Sequence, residues 1–468
     1  MNHSDRFLIS SLDTGKELHS IKDIELWYSS CLEKTNVSIK IINIEKLTNW
    51  NFKTDSLSHS TGHFFSILPI DVKTNSRKVS NWQQPIINQP EFGYLGFICK
   101  EINGVLHFLI QAKIEPGNIN KVQLSPTLQA TKSNYTRMHK GNSPNYLNYF
   151  RDNSNNVIYD QLQSEQGARF LKKRNRNIII EIDINENIKV LDEFIWMTLY
   201  QIKTFMKRDN IVNMDTRTVV SSIIPSDSFR DKKIIDSYSK SNFGFFGQKL
   251  RNSFFINDNI NELSKFYSFM IDKKSHYWIK TENINFNELN EWSINNGKIS
   301  RNDNKFFEVI GCEIKINNRE VKSWSQPMIR PTQNGLCMLL STFHNGVLYF
   351  LFQAKVECGN LDIVELAPTV QTLIGDYRKS NQNEIPFLNY LNHPKSNIIF
   401  DAFQSEEGGR FYEEENRNIL IYVEDCYKNP IPDDYFWMSI PLVNSLIKHN
   451  NIFNIQSRSI LSTLHYYD

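Results

Sequence analysis

Apolar and polar positions alternate through Phe108-Leu109-Ile110-Gln111-Ala112-Lys113-Ile114-Glu115. Successive side chains of a strand point to opposite faces, so Phe108, Ile110, Ala112 and Ile114 share one face. Leu109, Gln111, Lys113 and Glu115 fall on the other. The first face suits a core. The second aligns an amide, a cation and a carboxylate ahead of a Pro116-Gly117-Asn118 turn. The pattern returns at Phe350–Asn360, where Gln353, Lys355 and Glu357 form the polar row. Ile24, Trp27, Cys31 and Leu32 lie near helical spacing and predict a helix over 21–35. Strands are predicted over 37–44, 64–72, 93–100, 105–115, 121–124, 158–163 and 178–184, with a hairpin turn at Asn103-Gly104. Helices are predicted over 144–150, 199–207 and 217–223. Trp82-Gln83-Gln84-Pro85 and Trp324-Ser325-Gln326-Pro327 predict rigid extended segments, because proline fixes its own φ and biases the residue before it towards β. Strands, hairpins and helices in this mixture indicate an α+β fold with a mainly antiparallel or mixed sheet.

The recurrence covers far more than one strand. Trp50 and Trp292, Trp82 and Trp324, and Lys113 and Lys355 are each 242 residues apart. After a one-residue deletion Glu165 and Glu406, Arg169 and Arg410, and Trp196 and Trp437 are 241 apart. Each copy exceeds 200 residues, so this is one duplicated domain rather than a solenoid. The expected halves are 1–222 and 254–468, joined by a linker at 223–253 rich in Ser, Asn, Lys and Gly.

Composition narrows the function. A hydrophobic content of 40% with 12% aromatics fits a soluble globular chain, and a net charge of +2 argues against a broad nucleic-acid-binding surface. No apolar run is long enough to span a membrane and Met1–Leu12 lacks a signal-peptide pattern, so a cytoplasmic location is expected. The six cysteines are scattered without a CxxC pair, as expected of free thiols, and no Cys/His cluster has metal-ligand spacing. P-loop, dinucleotide-binding and Gly-x-Ser-x-Gly signatures are missing.

Candidate chemistry gathers in the repeated motifs. The polar rows can line pockets or form solvated sheet faces. Ser-Glu-x-Gly-x-Arg-Phe occurs at 164–170 and 405–411. Glu165 and Glu406 are candidate general bases, and Arg169 and Arg410 candidate bidentate anion ligands; the plain alternative is a turn held by a Glu–Arg ion pair. Thr127 and Gln129, with Thr369 and Gln371, can fix ligand hydroxyls. Tyr135 and Tyr377, like Trp82 and Trp324, can stack on a base or sugar, or simply pack in a core. His139 stands opposite Asn381, so only the first half carries this imidazole, as an acid/base group or a surface bystander.

The combined set resembles the NDP-hexose 2,3-dehydratase family. The resemblance is carried by Trp82-Gln83-Gln84-Pro85, Gln111-Ala112-Lys113, Glu115-Pro116-Gly117-Asn118, Pro126-Thr127-Leu128-Gln129, Asn134-Tyr135, Gln163–Phe170, Asn175-Arg176-Asn177 and their second-half counterparts. It implies a homodimer whose subunit holds two Nudix-like halves, each with a nucleotide-sugar pocket. The implied substrate is dTDP-4-keto-6-deoxyglucose, which loses its C2 hydroxyl to give a 3,4-diketo-2,6-dideoxy sugar. Asn134, Arg137 and Arg378 join the implied binding set, and His139 and Tyr412 are outside choices for the base. Lys113, Lys355, Arg169 and Arg410 would neutralise the pyrophosphate or an enolate. No Nudix box is present, so no pyrophosphatase activity or metal is implied, and the substrate's own carbonyl serves as electron sink without a cofactor. Cys358 in place of Pro116, and Leu373 in place of Thr131, depart from equality of the halves. The competing readings are a non-catalytic nucleotide-sugar-binding or regulatory protein and a Nudix-type hydrolase.

Overall fold

The strand carrying the polar row runs Val105–Ile114 and lies inside a seven-stranded sheet. The computed structural model describes residues 2–136, 143–151, 156–223, 237–253, 260–317, 321–373 and 385–467. In that sheet the order is Asn156–Ser164, Arg174–Glu181, Tyr94–Ile102, Val105–Ile114, Phe194–Met197, with Val122–Ser125 and Leu128–Ala130 added alongside. Arg174–Glu181 and Tyr94–Ile102 run parallel; the other pairs are antiparallel. A second seven-stranded sheet built on Gly335–His344 and Val347–Lys355 repeats this order, including its single parallel pair with Glu415–Val423. The fold is therefore α+β with mixed sheets.

Phe108 and Ile110 pack with Phe97, Ile179 and Met197, as alternation requires. Leu109, on the face read as polar, is also fully buried, against Ile98, Ile178 and Trp196. The sheet is covered on both sides over its first half, so the polar row begins only at Gln111.

Two smaller sheets exchange strands between the halves. Val37–Ile42 pairs antiparallel with Phe307–Ile316, Val37 opposite Ile316. Reciprocally, Ile279–Asn283 pairs with Ser66–Thr74. The Trp-x-Gln-Pro segments lie in the extended strands Asn81–Asn88 and Ser323–Pro331 on these sheets. Each tryptophan indole donates to the glutamine two residues on, Trp82 to Gln84 and Trp324 to Gln326, both at 2.9 Å. The helix Phe245–Ser253 matches His3–Ser10 at the 242-residue offset and buries Phe246 and Leu250 beside Phe350 and Met438.

Two further devices lock the halves. The turn after each polar row presses on the other half's Ser-Glu loop, with Gly117 N donating to Gly408 O and Gly359 N to Gly167 O, both at 2.7 Å. Only glycine permits this approach, because a Cβ on Gly117 would overlap the Phe411 carbonyl and one on Gly359 the Phe170 carbonyl. Arg217 and Arg458, each 1% exposed, cross the interface. Arg217 donates to Ser405 O (2.7 Å), Val212 O and Ser459 Oγ (both 2.6 Å); Arg458 donates to Ser164 O, Phe453 O (2.7 Å) and Thr218 Oγ1 (2.9 Å). Such dense donation lets a guanidinium stay buried.

Candidate functional site

A cavity of about 1110 Å³ opens at the end of the first polar row. Gln111, Lys113, Glu115 and Gln129 form its floor on the large sheet, and Glu165, Lys173, Asn175 and Asp215 one wall. The other half completes the lining with Trp324, Gln326, Glu407, Gly409 and Arg410. Lys34, Trp50, His59, His63 and Phe65 line a further part. The strand exchange and the Gly117–Gly408 contact carry the second half's loop into this chamber.

The floor is held by a repeated hydrogen-bond pattern. Gln129 Nε2 donates to Glu115 Oε1 (3.0 Å), while its Oε1 accepts from Ser125 Oγ (2.8 Å) and Asn213 Nδ2 (3.0 Å). Lys113 Nζ donates to Gln129 O (3.3 Å). In the second half Gln371 Nε2 reaches Glu357 Oε1 (3.2 Å) and Lys355 Nζ reaches Gln371 O (3.2 Å). Thr127 touches the cavity, but its hydroxyl donates to Leu109 O and accepts from Ile98 N; Thr369 does the same with Leu351 and Leu340. These hydroxyls therefore tie strands together rather than face a ligand.

The two glutamates of the Ser-Glu motif differ. Asn175 Nδ2 donates to Glu165 Oε1 (2.6 Å), and Glu165 Oε2 is buried without a hydrogen-bond partner. Burial raises the Glu165 carboxyl above its ordinary range, opposed by the nearby Lys173 and Arg458. Glu406 has both oxygens engaged, one by Asn416 Nδ2 and one by Gln166 Nε2, and is likewise raised by burial. Neither motif arginine pairs with its own glutamate among the described residues. Arg169 lies over the Phe307 ring at 4.2 Å; Arg410 lies over Phe65 at 4.3 Å and donates to Gln89 Oε1 at 3.3 Å. The turn held by a Glu–Arg ion pair is thus not what forms.

Three cavity groups escaped the motif reading: Asp215, Glu407 and Lys173. At the 241-residue offset stand Gln456, Gln166 and Glu414, so the charge differs at all three positions. Burial, then Glu165, Glu407 and Glu115, push Asp215 well above the carboxylate range. Burial raises Glu407 to about 8, with Arg410 opposing and Glu115 and Glu165 reinforcing. Burial lowers Lys173 to about 8 against the pull of Glu165. Burial thus draws the proton affinities of the Glu407 carboxyl and the Lys173 amine towards each other.

Other candidates lie elsewhere. Tyr412 packs against the cluster of Ile310, Cys312, Ile314 and Met328 and does not line the cavity. Tyr135 donates to Phe92 O (3.2 Å) and meets Tyr94 edge-on, whereas its neighbour Asn134 lines the cavity. Trp82 sits on the first small sheet, with Arg77 5.3 Å from its ring centre. Gln353, Lys355 and Glu357 do not line this cavity; they lie on and just after the strand Val347–Lys355. Arg137, His139, Tyr377 and Arg378 lie outside the described residues. Among the described residues no group of three or more His, Cys, Asp or Glu is arranged to hold a metal.

The NDP-hexose 2,3-dehydratase family model matches twice, at residues 21–223 and 263–464. A Saccharopolyspora spinosa protein named dTDP-4-dehydro-6-deoxy-alpha-D-glucopyranose 2,3-dehydratase is 37% identical over 99% of this chain and 95% of its own length. Proteins of the same name from Amycolatopsis orientalis and Streptomyces violaceoruber are 33% and 35% identical; they cover 99% and 86% of this chain, and 94% and 87% of their own lengths are matched. Among solved structures, an ADP compounds hydrolase aligns over 34% of this chain and 83% of its own, at 15% identity and a TM-score of 0.23. Matched in both halves and along nearly its whole length, the chain belongs to the NDP-hexose 2,3-dehydratase family.

Proposed function

We propose that the protein is a dTDP-4-keto-6-deoxyglucose 2,3-dehydratase whose chemistry runs in the first-half cavity with Glu165 as base. The observation that carries this is the contrast between the two glutamates. Glu165 keeps a buried, unpartnered oxygen in a chamber lined by cations; Glu406 is closed off by two amide donors. The 4-keto group acidifies the C3 proton. Glu165 removes it, and Lys113, Lys173 and Arg410 are the cations placed to stabilise the enolate or the pyrophosphate. The C2 hydroxyl then leaves and the resulting enol becomes the 3-ketone. Trp324 supplies an aromatic wall for the nucleotide sugar.

The reading includes a tandem pair of Nudix-like halves, supported by the doubled family match and the repeated sheet order. We place the second half's start at the helix Phe245–Ser253, inside the stretch read from the sequence as linker, because this helix fills the position of His3–Ser10. A homodimer rests on the family resemblance and a cytoplasmic location on the lack of a membrane-spanning apolar run or signal-peptide pattern in the sequence; light scattering and cell fractionation test them. The activity is tested by incubating the protein with freshly made dTDP-4-keto-6-deoxyglucose in heavy water. Loss of water with deuterium at C2 is expected. Glu165→Gln should abolish turnover while binding of the dTDP sugar persists, and Glu406→Gln should retain most of the rate. Full activity in Glu165→Gln would remove the base assignment.

A further inference from the structure

Elimination needs a proton for the departing C2 oxygen as well as a base for C3. We propose that Glu407, from the second half's Ser-Glu loop, is the general acid that protonates the C2 hydroxyl as it leaves. This rests on the reading of Glu165 as base. Glu407 lines the same chamber but comes from the other half, so acid and base are carried by different loops that meet there. Its position is built into the loop. A Cβ on Gly409 would lie 2.2 Å from Glu407 Oε1, so the glycine leaves room for this carboxyl where it stands, with Glu115 Oε1 at contact distance beyond it. The other copy of the loop has Ala168 at that position and Gln166 in place of Glu407. There the amide donates to Glu406; here a carboxyl faces Glu165.

The groups facing Glu407 are Arg410 on its own loop, Glu115 after the floor strand, Glu165 and Lys173 on the first-half wall, and Asp215 on the helix Met214–Val220. Burial, reinforced by Glu115 and Glu165, raises this carboxyl to about 8, the direction a general acid requires. The cycle balances. The C3 proton goes to Glu165, and the C3–H electron pair, carried through the enolate, becomes the C2=C3 bond. The C2–O pair leaves with the oxygen, which takes the Glu407 proton and departs as water. The enol hydroxyl at C3 then returns its proton to the Glu407 carboxylate, and Glu165 delivers its proton to C2, restoring both groups.

The test separates the two roles by leaving group. Glu407→Gln should lower kcat for water loss by about 100-fold or more, with KM changed little and C3 hydrogen exchange into solvent retained. The same dTDP-4-keto sugar carrying fluorine in place of the C2 hydroxyl needs no protonated leaving group, so Glu407→Gln should still release fluoride at close to the wild-type rate. Glu165→Gln should lose exchange, water loss and fluoride release together; if it keeps all three, the base reading fails whatever Glu407 does. Gly409→Ala, a side chain the other loop accepts at Ala168, should displace Glu407 and reproduce the water-selective loss in milder form. The proposal is overturned if Glu407→Gln keeps wild-type water loss, if it loses fluoride release in equal measure, or if Asp215→Asn alone shows the fluoride-selective rescue.

Discussion

Gly117→Ala tests the contact that carries the second-half loop into the cavity. The new Cβ would lie 1.6 Å from Phe411 O, 2.7 Å from the Phe411 carbonyl carbon and 2.8 Å from Gly408 O. All three are backbone atoms, so no rotamer change relieves the overlap; turn and loop must part. Parting them breaks Gly117 N to Gly408 O (2.7 Å) and Glu413 N to Gly117 O (2.9 Å). Each such bond is worth about 1 kcal/mol net, and forcing an extra methyl into a packed site costs about 1–3 kcal/mol. The expected loss is therefore about 3–5 kcal/mol, a large share of a typical folding free energy. Urea unfolding followed by circular dichroism and tryptophan fluorescence measures it. Gly359→Ala, whose Cβ would lie 1.8 Å from Phe170 O, should lose a similar amount. Activity should separate the pair: Gly117→Ala shifts the loop bearing Glu407 and Arg410, whereas Gly359→Ala shifts the one bearing Gln166 and Arg169. A Gly117→Ala protein within 1 kcal/mol of wild type and fully active, against the ~3–5 kcal/mol expected, would refute the reasoning.

Alongside the Glu165, Glu406 and Glu407 variants, two further outcomes are expected. Burial, with Lys207 and Lys203 nearby, lowers His465 from 6.5 to about 3, so the unfolded chain takes up a proton that the folded one refuses. Its contribution is present above pH 6.5 and is lost as pH falls towards 3, at up to about 1.4 kcal/mol per pH unit; the gap in urea midpoint between wild type and His465→Gln should narrow from pH 7 to pH 5. Cys31 is the one cysteine that is not buried, lines the cavity and has its thiol raised by burial of its surroundings. Native alkylation should therefore select Cys31, quicken with rising pH, inhibit turnover and be slowed by dTDP; modification at another cysteine would contradict this placement.

Periodicity made the floor strand and its polar row legible, together with the hairpin at Asn103-Gly104 and the extended Trp-x-Gln-Pro segments. Phe194–Met197 was not, because all four residues are buried and the short run shows no alternation. The exchange of Val37–Ile42 and Ile279–Asn283 left no local trace, since a strand's own residues do not state which distant edge it will join. The shared motifs pointed to Glu165, Lys113, Arg410 and Trp324, all on the cavity wall. Asp215, Glu407 and Lys173 stayed hidden because they lie where the copies differ; setting Asp215 against Gln456 and Glu407 against Gln166 would have exposed them. Thr127 and Thr369 illustrate the reverse: a repeated polar residue can be repeated for the sake of the sheet.

The exchanged strands make the protein behave as a two-piece lock. If the chain is cut between 223 and 245, each piece lacks the neighbour for one edge of its small sheet, and the first piece also lacks part of the lining of its chamber. Each piece expressed alone would present an unpaired strand edge, a template for aggregation. Co-expressed, the pieces should seek each other and restore turnover without a covalent link. The same dependence limits grafting: a half taken from a relative must match both the borrowed strand and the glycine contact before its catalytic side chains can matter.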